Sequence, residues 1–164
     1  MMKISRLAMP LLSAAIALGA LSFGASASVA SLSGNWASVV PNGPIPEILV
    51  TPAGGTKVTV EVFGQCEPTN CDWGKAPGST YSPTVSGNPV NDAVAATAYY
   101  QQGFAKRFVV LRQSGPDLVY EIYSAFEDSS GRNSYILSGR MHRVMRLIHL
   151  MTPAMAPAIQ KPNP

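Results

Sequence analysis

Histidine and cysteine are almost missing from this chain, with two of each in 164 residues. Their scarcity leaves little room for several common chemistries. A structural zinc site takes four Cys or His ligands. A Ser-His-Asp set needs a histidine held by a carboxylate, yet His142 and His149 both lie in a basic final segment with no acid nearby in sequence. Charge is sparse as well, at 13% of residues. Glu127 and Asp128 are adjacent carboxylates, but beside Ser129 and Gly131 turn formation accounts for them. There is no phosphate loop or dinucleotide fingerprint, and Gly54-Gly55 reads as a hairpin turn. The sequence therefore implies neither an enzyme nor a cofactor.

The longest apolar run, Leu11 to Phe23, is short of the roughly twenty residues a membrane span requires. It follows Lys3 and Arg6 and precedes the small-residue sites Ala25-Ser26-Ala27 and Ser28-Val29-Ala30, the three parts of a secretory signal. The expectation is cleavage after Ala27, with no transmembrane segment afterwards and a periplasmic or extracellular destination; an uncleaved anchor is the rival. Removing 27 of the 164 residues leaves 137, one domain's worth. With Lys3 and Arg6 gone the formal charge drops from +3 to +1, which gives no footing for nucleic-acid binding. All nine Asp and Glu lie before Arg132, and Arg132 begins a wholly basic end. Such an end marks either an acidic partner or a solvated strand terminus.

Glycine and proline, at 14 each, punctuate the remainder into short strands. In Thr56 to Gly64 the side chains of Val58, Val60 and Val62 share one face, against Lys57, Thr59, Glu61 and Phe63 on the other. Strands are also expected at Ser33 to Val40, with Trp36 and Val39 or Val40 buried, at Glu47 to Thr51, and weakly at Ser79 to Ser82 within an otherwise loop-like Trp73 to Val90. Asn91 to Ala98 has helix propensity, but Tyr99-Tyr100-Gln101-Gln102 favours a strand, so the stretch is read mostly as strand. Ala105 to Gln113, Leu118 to Phe126 and Ser134 to Val144 complete a meander. In the second of these, Leu118, Tyr120, Ile122, Ser124 and Phe126 form the core face. About eight short strands with regular turns predict an all-β, single-domain antiparallel up-and-down barrel, which also removes exposed edges. The expected boundaries are 1–27 for the signal, 28–146 for the barrel and 147–164 for a Pro/Met-rich tail.

Both cysteines fall in Cys66-Glu67-Pro68-Thr69-Asn70-Cys71-Asp72-Trp73-Gly74, directly after the Val58 strand. In an exported chain a pair of cysteines points to one disulfide. The rival is a metal-binding C-x4-C pair, which would need His142 and His149 as well. This nonamer resembles a C-x-P-x-x-C-D-W-G signature of uncharacterised secreted bacterial domains, and the resemblance runs from Gly34-Asn35-Trp36 through Glu121-Ile122-Tyr123 and Asp128 to Asn133, ending near Arg143. The G-x-W of the first strand is similar to the opening of lipocalins and avidins, and implies a calycin-like barrel.

A small barrel can hold a ligand inside or at its mouth, among aromatic side chains and a few polar groups. The candidates are Trp73, Asp72, Trp36, Tyr81, Tyr99 and Tyr123; for Trp36 the competing role is core. Two alternatives stand beside this non-catalytic binding protein. The 66–74 turn could present Glu67 to Trp73 to a protein partner, as inhibitors do. Met141, His142, Met145, His149 and Met151 offer thioether and imidazole ligands suited to Cu(I) in the cell envelope.

Overall fold

In the computed structural model, residues 28–144 are described. The expected signal and tail lie outside the described residues, as do Met145, His149 and Met151. A four-residue helix, α1 (Val29–Leu32), precedes eight strands: β1 (Gly34–Ser38), β2 (Glu47–Pro52), β3 (Lys57–Gly64), β4 (Cys71–Tyr81), β5 (Ala95–Gln102), β6 (Ala105–Ser114), β7 (Asp117–Phe126) and β8 (Tyr135–Arg143). Each strand pairs antiparallel with the next, and β8 returns to β1 through Trp36 opposite Arg143 and Ser38 opposite Met141, closing the barrel. This is the all-β up-and-down barrel that the strand pattern implies. Among the described residues, no helix is long and apolar enough to cross a membrane.

Alternation sets the two sides of the wall. Val58, Val60 and Val62 on β3, Ala96, Ala98 and Tyr100 on β5, and Leu118, Tyr120, Ile122 and Ser124 on β7 are all buried inside. Phe126, expected with that last set, is only half-buried at the barrel's end. Tyr120 fills the middle because its cross-strand partner is Gly139: a Cβ there would sit 2.7 Å from the Tyr120 ring. Outside, ion pairs such as Arg112–Glu121 and Arg140–Asp117 join neighbouring strands.

One end is plugged. Ser28 caps α1 through a reciprocal pair of hydrogen bonds with Ser31. The helix turns Val29 and Leu32 into the core, Val29 donates its backbone N–H to the Val90 carbonyl, and the 82–94 loop buries Ala93. The Trp36 indole donates to the Leu32 carbonyl at 3.0 Å, and the Arg143 guanidinium lies 4.3 Å from the Trp36 ring while donating to the Ser31 and Ser33 carbonyls. Gly34 makes this possible: its φ is +133°, and a Cβ would meet Arg143 Nη1 at 2.6 Å.

Three local expectations are corrected. Trp73 to Gly78 is not loop, while Ser79 to Tyr81 is strand as expected: β4 runs for eleven residues, because β3 and β5 supply hydrogen-bonding partners along most of it. Its glycine is a packing device, since a Cβ on Gly78 would lie 2.4 Å from the Thr97 carbonyl oxygen. Val39 and Val40 are exposed, β1 having ended at Ser38. The helix α1 falls where no helix was expected, held by its cap and its burial rather than by length.

Candidate functional site

Among the described residues, the other end of the barrel is open. The segments 39–46, 65–70, 103–104 and 127–134 ring it, and they surround a cup of about 590 Å³. Below it the barrel is packed with the buried side chains already named, so the concavity belongs to the mouth.

Trp73 reaches the cup through a defect in the ladder. Between the pairs Glu61–Lys75 and Phe63–Asp72, β4 carries one residue more than β3, the signature of a bulge. Gly74 takes the required positive φ of +80°, and its N–H donates to Asp72 Oδ1 at 2.7 Å. The bulge turns the indole inward over the core, edge-on to Tyr100 at 6.0 Å between centroids. Gly64 leaves room for it, since a Cβ there would stand 2.9 Å from Trp73 Nε1. The Cys66–Cys71 disulfide closes the turn between the two strands, as the cysteine count implies. The D-W-G of the nonamer is thus a device for aiming a tryptophan: the acid caps, the glycine bends, and the indole faces the cup.

Across from Trp73 stands Arg107, on the inward face of β6 with Ala105, Val109 and Leu111. It is 7% exposed. Its guanidinium carbon lies 4.4 Å from the Trp73 ring centroid and 5.3 Å from that of Phe104. Nη1 donates to Gln102 Oε1, and Gln102 Nε2 donates to the Trp73 carbonyl at 3.3 Å, which orients the amide. Among the described residues, Arg107 Nε is buried without a hydrogen-bond partner, and so is the hydroxyl of Ser124, the residue opposite Arg107 on β7. None of the ion pairs among the described residues includes Arg107. Burial lowers its pKa from the ordinary guanidinium value; the phenol of Tyr135 opposes that shift and the charge of Arg132 adds to it. A guanidinium keeps its proton at neutral pH nonetheless. Arg132 is committed elsewhere at the rim, to Asp128 and to the face of Phe126 at 3.9 Å.

The remaining sequence candidates, Asp72 apart, are not gathered here. Asp72 joins Trp73 in the lining. Trp36 is a core residue at the plugged end, with its indole N–H satisfied. Tyr81, Tyr99 and Tyr123 are exposed on the outer wall, where Tyr81 meets Thr97 and Tyr123 donates to Glu121. Met141 is buried in the core and His142, its neighbour along β8, is exposed on the opposite face. Glu127 pairs with Lys106, and Asp128 accepts from Ser130 within its turn.

Arg107, Gln102, Phe104, Tyr135 and Leu137 were not among the sequence candidates, yet they line the cup with Trp73. One signal was there to be read: Arg107 shares strand parity with Ala105, Val109 and Leu111, a charge on a dry face. The cup offers aromatic and apolar walls, one fixed amide and one enclosed cation. It has no nucleophile–base pair among the groups described above. No protein-family model matches this chain, and no curated protein or solved structure matches it significantly.

Proposed function

We propose that this is an exported, non-catalytic binding protein that holds a small ligand at the open mouth of its barrel. The observation that carries the reading is the cup itself, set above a filled core and walled by Trp73, Phe104, Tyr135 and Leu137. Binding sites for small molecules have this composition, mostly apolar with a few fixed polar groups. Catalysis would require reacting groups within hydrogen-bond reach of one another, and no nucleophile–base pair stands among the cup's described residues. The calycin-like reading fits a barrel plugged at one end and open at the other.

The test is native mass spectrometry of the protein isolated from its own compartment, alongside Trp73→Ala. A reproducible bound mass that the variant lacks is the expected result. A bare chain whose melting temperature is unmoved by a small-molecule extract of that compartment refutes the reading.

A second reading is favoured by the exposure of residues 67–72 on the disulfide-closed turn at the rim, which suits recognition by a protein. In that case Glu67, Pro68, Thr69 and Asn70 make the contact, because Trp73 is turned into the cup. Substituting these four residues would abolish partner capture and leave the small-molecule mass unchanged.

A further inference from the structure

We infer that the mouth cup selects ligands bearing a single negative charge, a carboxylate on a flat apolar body, and that Arg107 is the counter-ion of that carboxylate. The inference rests on the reading of the cup as a small-ligand site and names the chemistry it takes.

Arg112, Arg132 and Arg140 each face a carboxylate, and Arg143 donates to two main-chain carbonyls. Arg107 is the most enclosed of the five, and among the described residues it has neither. Its side-chain partners are neutral, the amide of Gln102 and the phenol of Tyr135. A buried charge without a counter-charge is destabilising, and it cannot escape by losing its proton. The faces of Trp73 and Phe104 offset part of that cost. They also hold the planar fork in place, so a ligand need not order it.

The guanidinium has five N–H donors, of which Gln102 takes one. Arg107 lines the cup, so an incoming carboxylate can accept two parallel bonds from it. The charge count favours one negative charge over two. Arg132 is already neutralised by Asp128, which leaves Arg107 as the one cation among the lining residues. Phe104 and Leu137 supply the apolar wall for the body of the ligand. Cationic ligands are disfavoured by Arg107 itself.

Matched pairs test this on the intact, oxidised protein: phenylacetate with phenylacetamide, indole-3-acetate with indole-3-acetamide, naphthalene-2-carboxylate with its carboxamide, and naphthyl phosphate as the dianion. Amide-detected NMR reads the Trp73 indole and Arg107 Nε–H signals while affinities are fitted. The expected result is that at least one carboxylate shifts both signals and binds about tenfold or more tighter than its amide. That preference should vanish in Arg107→Met and survive in part in Arg107→Lys. Equal affinity of acid and amide at these signals overturns the inference and leaves the cup reading standing. A preference that persists in Arg107→Met, or tighter binding of the phosphate, also overturns it. If no compound moves either signal, both readings fall together. Should Arg107→Met not fold, the acid–amide comparison on the unmodified protein decides alone.

Discussion

Arg143 ties the plugged end together, and its worth can be worked from its contacts. It makes two charge-assisted hydrogen bonds, to the Ser31 and Ser33 carbonyls, and lies against the Trp36 ring. Hydrogen bonds to a charged group contribute about 1.5 kcal/mol each at the lower end, appropriate for a half-buried side chain. The ring contact adds about 0.5–1 kcal/mol. Releasing an ordered arginine returns up to about 2 kcal/mol of side-chain entropy. Arg143→Ala should therefore cost about 2 kcal/mol, and Arg143→Lys, which keeps the charge but not the fork, about half of that. Urea unfolding followed by tryptophan fluorescence measures it, with an unchanged m-value confirming that stability has moved. Gly34→Ala supplies the internal control. In the parent it meets Arg143 Nη1 at 2.6 Å and also strains a φ of +133°. In an Arg143→Ala background the collision is gone and only the backbone strain remains. The double-mutant cycle should show coupling of about 1 kcal/mol or more. Additive costs, or a loss under about 0.5 kcal/mol for Arg143→Ala, would refute the description of this end as an arginine-locked plug.

The Cys66–Cys71 disulfide closes a loop of about six residues, for which the chain-entropy model gives about 2 kcal/mol, so reduction should lower the melting temperature by several degrees without unfolding the barrel. Wholesale unfolding on reduction would show that the bond staples the fold rather than the rim. Burial raises the pKa of the phenols of Tyr100 and Tyr120 above the ordinary value. The folded state then keeps protons that the unfolded chain sheds, so stability falls as pH rises past about 10, by at most about 1.4 kcal/mol per pH unit for each phenol. Tyr100→Phe should flatten that slope in urea titrations across the alkaline range; an unaltered slope would place its origin elsewhere.

The barrel was legible because most of its strands are two-faced. In β3 and β7 the side chains alternate so regularly that burial follows from parity alone. The middle of β4, Trp73 to Gly78, was read as loop because glycine and proline disfavour isolated strands, whereas here Gly78 lets β5 approach and the pairing partners override local preference. The aromatic candidates divided for a related reason. Tyr99 and Tyr100 are neighbours on β5, one facing out and one in, and aromatic chemistry suits either side. No pattern in the sequence reveals the bulge that turns Trp73 inward, since it arises from a mismatch in length between two strands. Arg107 was within reach of parity, but a dry face with a charge in it looks like an error until the packing shows the cup above it.

The two ends of the barrel carry the same pairing, a guanidinium over an indole, and they differ in what surrounds it. At the plugged end Arg143 lies 4.3 Å from the Trp36 ring and donates to two carbonyls, so the group is satisfied by the chain itself. At the open end Arg107 lies 4.4 Å from the Trp73 ring, more deeply enclosed, with an unpartnered Nε and the unpartnered hydroxyl of Ser124 across the strand. A cation kept for stability should look like the first, because an unsatisfied buried donor works against the fold. The second gives up stability at the place where the fold opens to solvent and aromatic walls converge.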